Sequence, residues 1–208
     1  MAKEGYPFLL ASLALIVLGY IVKPFLGIPF FLLFVFIAYF FRDPKRTPPE
    51  DPQLLVSPAD GKVIEVQEVT DPTFYEGPAR KIAIFMSPMD VHVNRAPAGG
   101  IVEKVEYKAG KYMMAWEEKA SQNNERNAVF LQTDKGVKIT FVQIAGFLAR
   151  RIICDVKRGS LLKRGQRFGI IRFGSRVDVY LPLDLEIEVK IGDRLKAGES
   201  VIAKFKAV

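Results

Sequence analysis

Residues 6 to 41 carry a single charge, Lys23, and the run Arg42-Asp43-Pro44-Lys45-Arg46 follows at once. Lys23-Pro24 divides this stretch into two apolar runs, Tyr6 to Val22 and Phe25 to Phe41. Each is close to the lower limit of about 17 residues for crossing a hydrocarbon core, so two short helices or a re-entrant hairpin both fit. The apolar region is longer than a signal peptide's and lacks a small-x-small cleavage site before its charged boundary. Residues 1 to 46 are therefore read as a helical membrane anchor. Thr47-Pro48-Pro49-Glu50-Asp51-Pro52 cannot continue a helix, which makes residues 47 to 53 a linker.

Beyond it the periodicity changes. Runs of Val, Ile, Phe and Leu alternate with Gly, Pro and Asp, predicting strands at Gly61 to Val69, Lys81 to Met86, Ile101 to Tyr107, Ala128 to Thr133 and Lys138 to Ala145. Further strands are predicted at Gly169 to Phe173, Arg176 to Leu181 and Val201 to Phe205. Tyr112 to Asn124 lacks the alternation and reads as a loop or short helix, with Met113, Met114 and Trp116 suited to covering a site or touching lipid.

An internal repeat, Val-Lys-x-Gly-x-x-Leu-Lys-x-Gly, occurs at Val156 to Gly165 and again at Val189 to Gly198. Its glycines fall where a strand must turn, and the pattern resembles the hairpins of lipoyl and biotinyl carrier domains. Pro97 to Val105 resembles the same unit. The prediction for residues 54 to 208 is a mainly β (α+β) domain built partly as a barrel-sandwich hybrid. No lysine in a tight hairpin marks a carrier function.

Thirty Lys and Arg against 23 Asp and Glu give a net charge of +7. Beside an apolar anchor, that balance favours anionic lipid as the partner, and the absence of a zinc spacing, a P-loop or an aromatic-basic RNA motif argues against nucleic acid. Arg42, Lys45 and Arg46 predict that the anchor exits on the cytoplasmic side of a cell membrane. Cys154 is the sole cysteine, which excludes an internal disulfide; it reads as a small buried apolar residue.

Chemistry concentrates in a few places. In Phe173-Gly174-Ser175 the glycine lets the backbone bend until the serine hydroxyl faces the preceding carbonyl, although an ordinary turn has the same signature. His92, the only histidine, lies in Asp90-Val91-His92-Val93-Asn94-Arg95 and is the first candidate for proton transfer near neutral pH. Asp60, in Ser57-Pro58-Ala59-Asp60-Gly61, suits either a turn acceptor or a carboxylate that orients an imidazole. Asp90 suits capping of its own loop. Arg95 and Arg126 suit bidentate binding of a phosphate or carboxylate, and Arg150-Arg151 suits the membrane surface or an internal carboxylate.

Taken in order, the Asp60, His92, Asn124-Glu125-Arg126-Asn127 and Ser175 motifs are similar to the short form of the phosphatidylserine decarboxylase family, over nearly the whole chain. The resemblance implies self-cleavage between Gly174 and Ser175. Ser175 Oγ attacks the Gly174 carbonyl to give an ester, loss of the Ser175 α-proton releases the upstream chain as a carboxylate, and the dehydroalanine hydrolyses to a pyruvoyl group and ammonia. A β chain of residues 1 to 174 and an α chain of residues 175 to 208 would share one core. The covalent pyruvoyl ketone would form an imine with the substrate amine, and no metal is implied.

Ser175, His92 and Asp60 are the implied catalytic residues, with Arg95 and Arg126 as candidate substrate anchors. Longer family members carry a second histidine where this chain has Arg95, so either His92 serves both maturation and turnover or the base is another group. The expected reaction converts phosphatidylserine to phosphatidylethanolamine and carbon dioxide. Archaetidylserine as substrate, and a non-catalytic membrane-tethered adaptor, are the alternatives. The sequence is compatible with a homo-oligomer.

Overall fold

The computed structural model describes residues 1–110, 124–146, 151–172 and 175–206. The predicted loop at Tyr112 to Asn124 lies outside them except for Asn124, as do Arg150, Phe173 and Gly174. Two compact units are present, Met1–Lys45 and Arg46–Val208.

In the first unit, α1 (Tyr6–Val22) and α2 (Gly27–Phe40) pack as a hairpin through a single 3-10 turn at Pro24–Leu26. Proline at the turn supplies no N–H to extend α1. Gly19 permits the close approach: a Cβ there would sit 3.0 Å from the Leu26 carbonyl oxygen and 3.2 Å from the Phe30 ring. The other ends meet where the Ala2 N–H donates to the Phe41 carbonyl at 2.7 Å. Leu10, Leu13, Leu18, Ile21, Phe31 and Leu32 are exposed, and no polar stripe runs along either helix, a pattern that suits lipid better than water. Lys3–Val22, 20 residues, is long and apolar enough to cross a membrane; Pro24–Phe40 is shorter.

Among the described residues of the second unit, the regular elements are all strands. Its elements are β1 (Leu54–Val56), β2 (Gly61–Thr70), β3 (Pro78–Met86), β4 (Val93–Arg95), β5 (Gly100–Lys108), β6 (Arg126–Thr133) and β7 (Lys138–Ala145). After these come β8 (Ile152–Cys154), β9 (Leu161–Leu162), β10 (Arg167–Ile171), β11 (Ser175–Pro182), β12 (Glu186–Ile187), β13 (Arg194–Leu195) and β14 (Val201–Lys204). The main sheet has the order β13-β2-β3-β11-β7-β6-β5-β9, and two small sheets have the orders β4-β10-β8 and β1-β14-β12. Every pairing is antiparallel.

Period-2 alternation explains the core. Ile82, Ile84 and Met86 of β3, Val177, Val179 and Leu181 of β11, and Ile139 and Phe141 of β7 turn to one face and pack with Phe168 of β10 in a single cluster. Phe141 and Phe168 join the main sheet to β10 with ring centroids 4.7 Å apart. Each such buried side chain contributes about 1.5–3 kcal/mol. The opposite face is also buried, with Phe74, Ala79, Ala128, Val142, Ile144 and Tyr180 forming a second cluster.

The sequence repeat is a repeat of structure. Val63 N–H donates to the Asp193 carbonyl at 2.9 Å while Gly192 N–H donates to the Val63 carbonyl at 2.8 Å. Val102 makes the matching pair with Ser160 and Gly159 at 2.9 and 2.8 Å. Gly61 and Gly100 adopt φ of 152° and 154°, and a Cβ on either would lie 2.1 or 2.2 Å from a carbonyl oxygen of the neighbouring strand. The two halves differ before these glycines, where one has Asp60 and the other Gly99. Residues 47 to 53, expected as a linker, are fastened along this unit by Arg164, whose guanidinium donates to the carbonyls of Pro49, Asp51 and Leu54.

Candidate active site

Ser175 is the first residue of β11, fully buried, and paired with Met86 of β3 on one side and Ala145 of β7 on the other. Strand alternation turns its side chain to the Val177 face of the sheet, while Arg176, Asp178 and Tyr180 turn to the other. Ser175 Oγ is buried and makes no hydrogen bond among the described residues.

His92 follows β3 through a tight loop. Asp90 Oδ2 accepts hydrogen bonds from Ser87 N–H at 2.8 Å and Ser87 Oγ at 2.7 Å, which is the capping role expected of it. His92 itself is fully buried, and its Nδ1 lies 3.0 Å from the Asp90 carbonyl oxygen. A carbonyl only accepts, so Nδ1 carries a proton, and in a neutral ring Nε2 would hold the lone pair. The His92 carbonyl accepts from Ile171 N–H at 3.3 Å, four residues before Ser175 in the chain. The His92 segment and the end of β10 thus meet at the end of the main sheet where β11 begins.

Asp60 sits at that end as well, one strand further out: Lys62 of β2 and Arg176 of β11 both pair with Phe85 of β3. At strand spacing this separates it from Ser175 by roughly 10 Å. Its carboxylate is committed elsewhere, Oδ1 to Ala197 N–H at 2.7 Å and Oδ2 to the Arg46 guanidinium at 2.8 Å. Arg46 also reaches Glu199 at 3.2 Å. Burial pushes the Asp60 carboxyl above its ordinary pKa, outweighing the Ala197 and Arg46 contacts that lower it. The hydrogen bond observed at the His92 ring runs to the Asp90 carbonyl, and those observed at the Asp60 carboxylate run to Ala197 and Arg46.

The two candidate anchors lie on different surfaces. Arg95 donates to the Gly165 carbonyl at 3.1 Å and packs against the Gly198 turn, where a Cβ would come 3.0 Å from Arg95 Cδ. Arg126 pairs in register with Ile144, as Arg176 does, so it occupies the sheet face opposite Ser175; its guanidinium lies 5.3 Å from the Phe74 ring centroid.

A family model described as phosphatidylserine decarboxylase matches residues 33–203. A phosphatidylserine decarboxylase proenzyme of Carboxydothermus hydrogenoformans is 46% identical over 207 residues, covering 99% of this chain and 97% of the relative. One from Salinibacter ruber is 50% identical over 172 residues, covering 82% and 76%, and one from Burkholderia cenocepacia is 45% identical over 207 residues, covering 99% and 96%. The chain belongs to the phosphatidylserine decarboxylase family.

Two features of this family member were not assigned from sequence. The first is Arg46, read as a membrane-boundary cation, whose side chain is only 9% exposed and holds Asp60. The second is a chain of buried amides below Ser175: Asn127 Nδ2 donates to Gln143 Oε1 at 3.2 Å, and Gln143 Nε2 donates to Asn94 Oδ1 at 2.9 Å. A signal for the second existed, since Gln143 falls on the apolar side of an otherwise regular Ile139, Phe141, Ala145 alternation. Cys154 is half-buried, hydrogen-bonded to Asn127 and the Val156 carbonyl, with a thiol that burial pushes up in pKa, in keeping with an inert role.

Proposed function

We propose that this chain is a self-processing proenzyme in which Ser175 is the source of a pyruvoyl group, and that His92 moves the protons. The reaction of the mature protein is decarboxylation of phosphatidylserine to phosphatidylethanolamine and carbon dioxide, and it is a carboxy-lyase of phospholipid biosynthesis. The relatives are named for phosphatidylserine, so archaetidylserine is not favoured, and family membership argues against a non-catalytic adaptor.

The single observation that carries the reading is Ser175: a buried hydroxyl without a hydrogen bond among the described residues, at the head of a strand clamped on both sides. Such a residue suits conversion to a ketone, because β11 stays laddered to β3 and β7 after the bond before Ser175 is cut. The ketone supplies a sink for the electrons of the breaking bond to the carboxyl group. Nε2 of neutral His92 is the base that takes the Ser175 Oγ proton, and the same nitrogen, once protonated, returns a proton to the substrate carbon. Asp60, held by Arg46 and Ala197, fixes the turn that enters β2, and its charge acts on the site from two strands away.

Arg95 and Arg126 are the proposed anchors for the anionic headgroup; Arg126 reaches it past the end of the sheet, because it lies on the far face. The helical hairpin supports attachment to the cell membrane, and Arg42 and Lys45 support a cytoplasmic catalytic unit. Intact mass of the purified protein tests the central point. Wild type should give two chains, the smaller beginning at residue 175 and lacking a free amine, while Ser175→Ala stays whole. A serine amine at that terminus would sink the pyruvoyl reading.

A further inference from the structure

We infer that the amide chain Asn94, Gln143 and Asn127 is a positioning device that docks the His92 strand onto the sheet carrying Ser175; this rests on the reading of His92 as the base. His92 and Asn94 are two residues apart on one extended segment, so their side chains share a face. Asn94 belongs to the small sheet through its pairing with Gly169 of β10. Gln143 belongs to the main sheet, opposite Val177, the next residue after Ser175 on the same face of β11. The Gln143 to Asn94 hydrogen bond therefore crosses from one sheet to the other beside the two reacting side chains.

The three residues are 0%, 0% and 3% exposed for Asn94, Gln143 and Asn127. Apolar side chains of equal volume would fill this core with less desolvation cost, so the amides are retained for the direction they impose. That direction runs one way. Asn127 donates to Gln143, Gln143 donates to Asn94, and Asn94 Nδ2 is thereby turned onto Met86 Sδ at 3.6 Å, the residue paired with Ser175. Gly169 makes room for the crossing, since a Cβ there would stand 3.0 Å from Gln143 Nε2 and 2.3 Å from the Ile153 carbonyl oxygen.

With one histidine in the chain, a histidine-selective 15N label reports His92 alone. The test compares Gln143→Met with wild type in two assays on the full-length protein in micelles: self-cleavage rate, and the His92 ring nitrogen spectrum in a Ser175→Ala background that stays uncleaved. Melting of each variant is followed in parallel. The expected result is a folded Gln143→Met protein whose His92 no longer shows a single Nδ1–H tautomer and whose cleavage slows by ~10²-fold or more, as for a displaced general base. A wild-type His92 spectrum in the folded variant overturns the inference, whether cleavage is slowed or not. An altered spectrum with normal cleavage supports the positioning role and instead removes His92 as the base. If Gln143→Met does not fold, Gln143→Glu keeps the shape and the acceptor for Asn127 while its carboxylate offers no N–H to Asn94, and the same two outcomes decide.

Discussion

Arg176→Met should destabilise this protein more than most core truncations, and adding Asp178→Leu should restore much of the loss. Arg176 is fully buried on the face of β11 away from Ser175 and pairs with Asp178 and with Glu65 Oε2 at 3.1 Å. Lys81 completes a quartet, 2.7 Å from Glu65 Oε1 and 3.7 Å from Asp178 Oδ2. Burial alone would lower the Arg176 pKa, but Asp178 and Glu65 outweigh it and hold the guanidinium charged. Two cations thus balance two carboxylates. Removing Arg176 leaves Asp178 and Glu65 with Lys81 as the remaining cation of the quartet, an uncompensated buried charge worth roughly 3–5 kcal/mol.

For a chain of this size that corresponds to a melting point lower by about 6–20 °C. The double variant leaves Lys81 with Glu65, a neutral pair, so it should melt above the single variant even though it carries one more substitution. Thermal unfolding of wild type, both single variants and the double variant in a Ser175→Ala background gives the coupling without interference from cleavage. A double variant that melts lower than Arg176→Met, by the sum of the single effects, would refute the argument. On the proposed cleavage, Arg176 and Asp178 lie in the α chain and Glu65 and Lys81 in the β chain, so the quartet also rivets the products together. Cleaved Arg176→Met should then shed its α chain on gel filtration where wild type keeps it.

His92→Ala should slow self-cleavage by the ~10²–10⁴-fold of a lost general base, read as band conversion on denaturing gels; unchanged cleavage would move the proton transfer to another group. Because the folded Asp60 pKa is raised above 3.8, its contribution to stability is fully present below that value and lost as pH rises through the raised pKa. Denaturant midpoints measured upward from pH 4 should accordingly fall in wild type relative to Asp60→Asn, and parallel curves would show that the carboxyl is not perturbed. Deleting residues 1 to 41 should leave self-cleavage intact while decarboxylation of phosphatidylserine in vesicles drops, because the second unit carries its own core and the apolar hairpin is the proposed anchor that holds it at lipid. Equal vesicle activity and equal liposome flotation would refute the anchor.

What could be read from the chain depended on whether the physics was local. The long strands were legible because β3, β6 and β7 alternate over eight or nine residues, and the hairpin repeat was legible because Gly159, Gly165, Gly192 and Gly198 all take positive φ that other residues resist. The two-residue strands β9, β12 and β13 have no period to detect; they exist because distant strands present them with partners. The proposed site divides in the same way. Ser175 and His92 announced themselves by residue type and motif, yet the bond that orients the imidazole comes from a backbone carbonyl, which sequence never displays. Arg46 illustrates the sharper failure, for a basic cluster at the end of an apolar run ordinarily means a membrane boundary, and only its 2.8 Å pair with Asp60 shows that the last cation belongs to the catalytic unit. Arg176 and Asp178 likewise alternate as a solvated strand face would, and become a buried quartet because this sheet is covered on both sides. Polar groups whose partners lie far along the chain are thus where sequence reading runs out, and in this fold they surround Ser175.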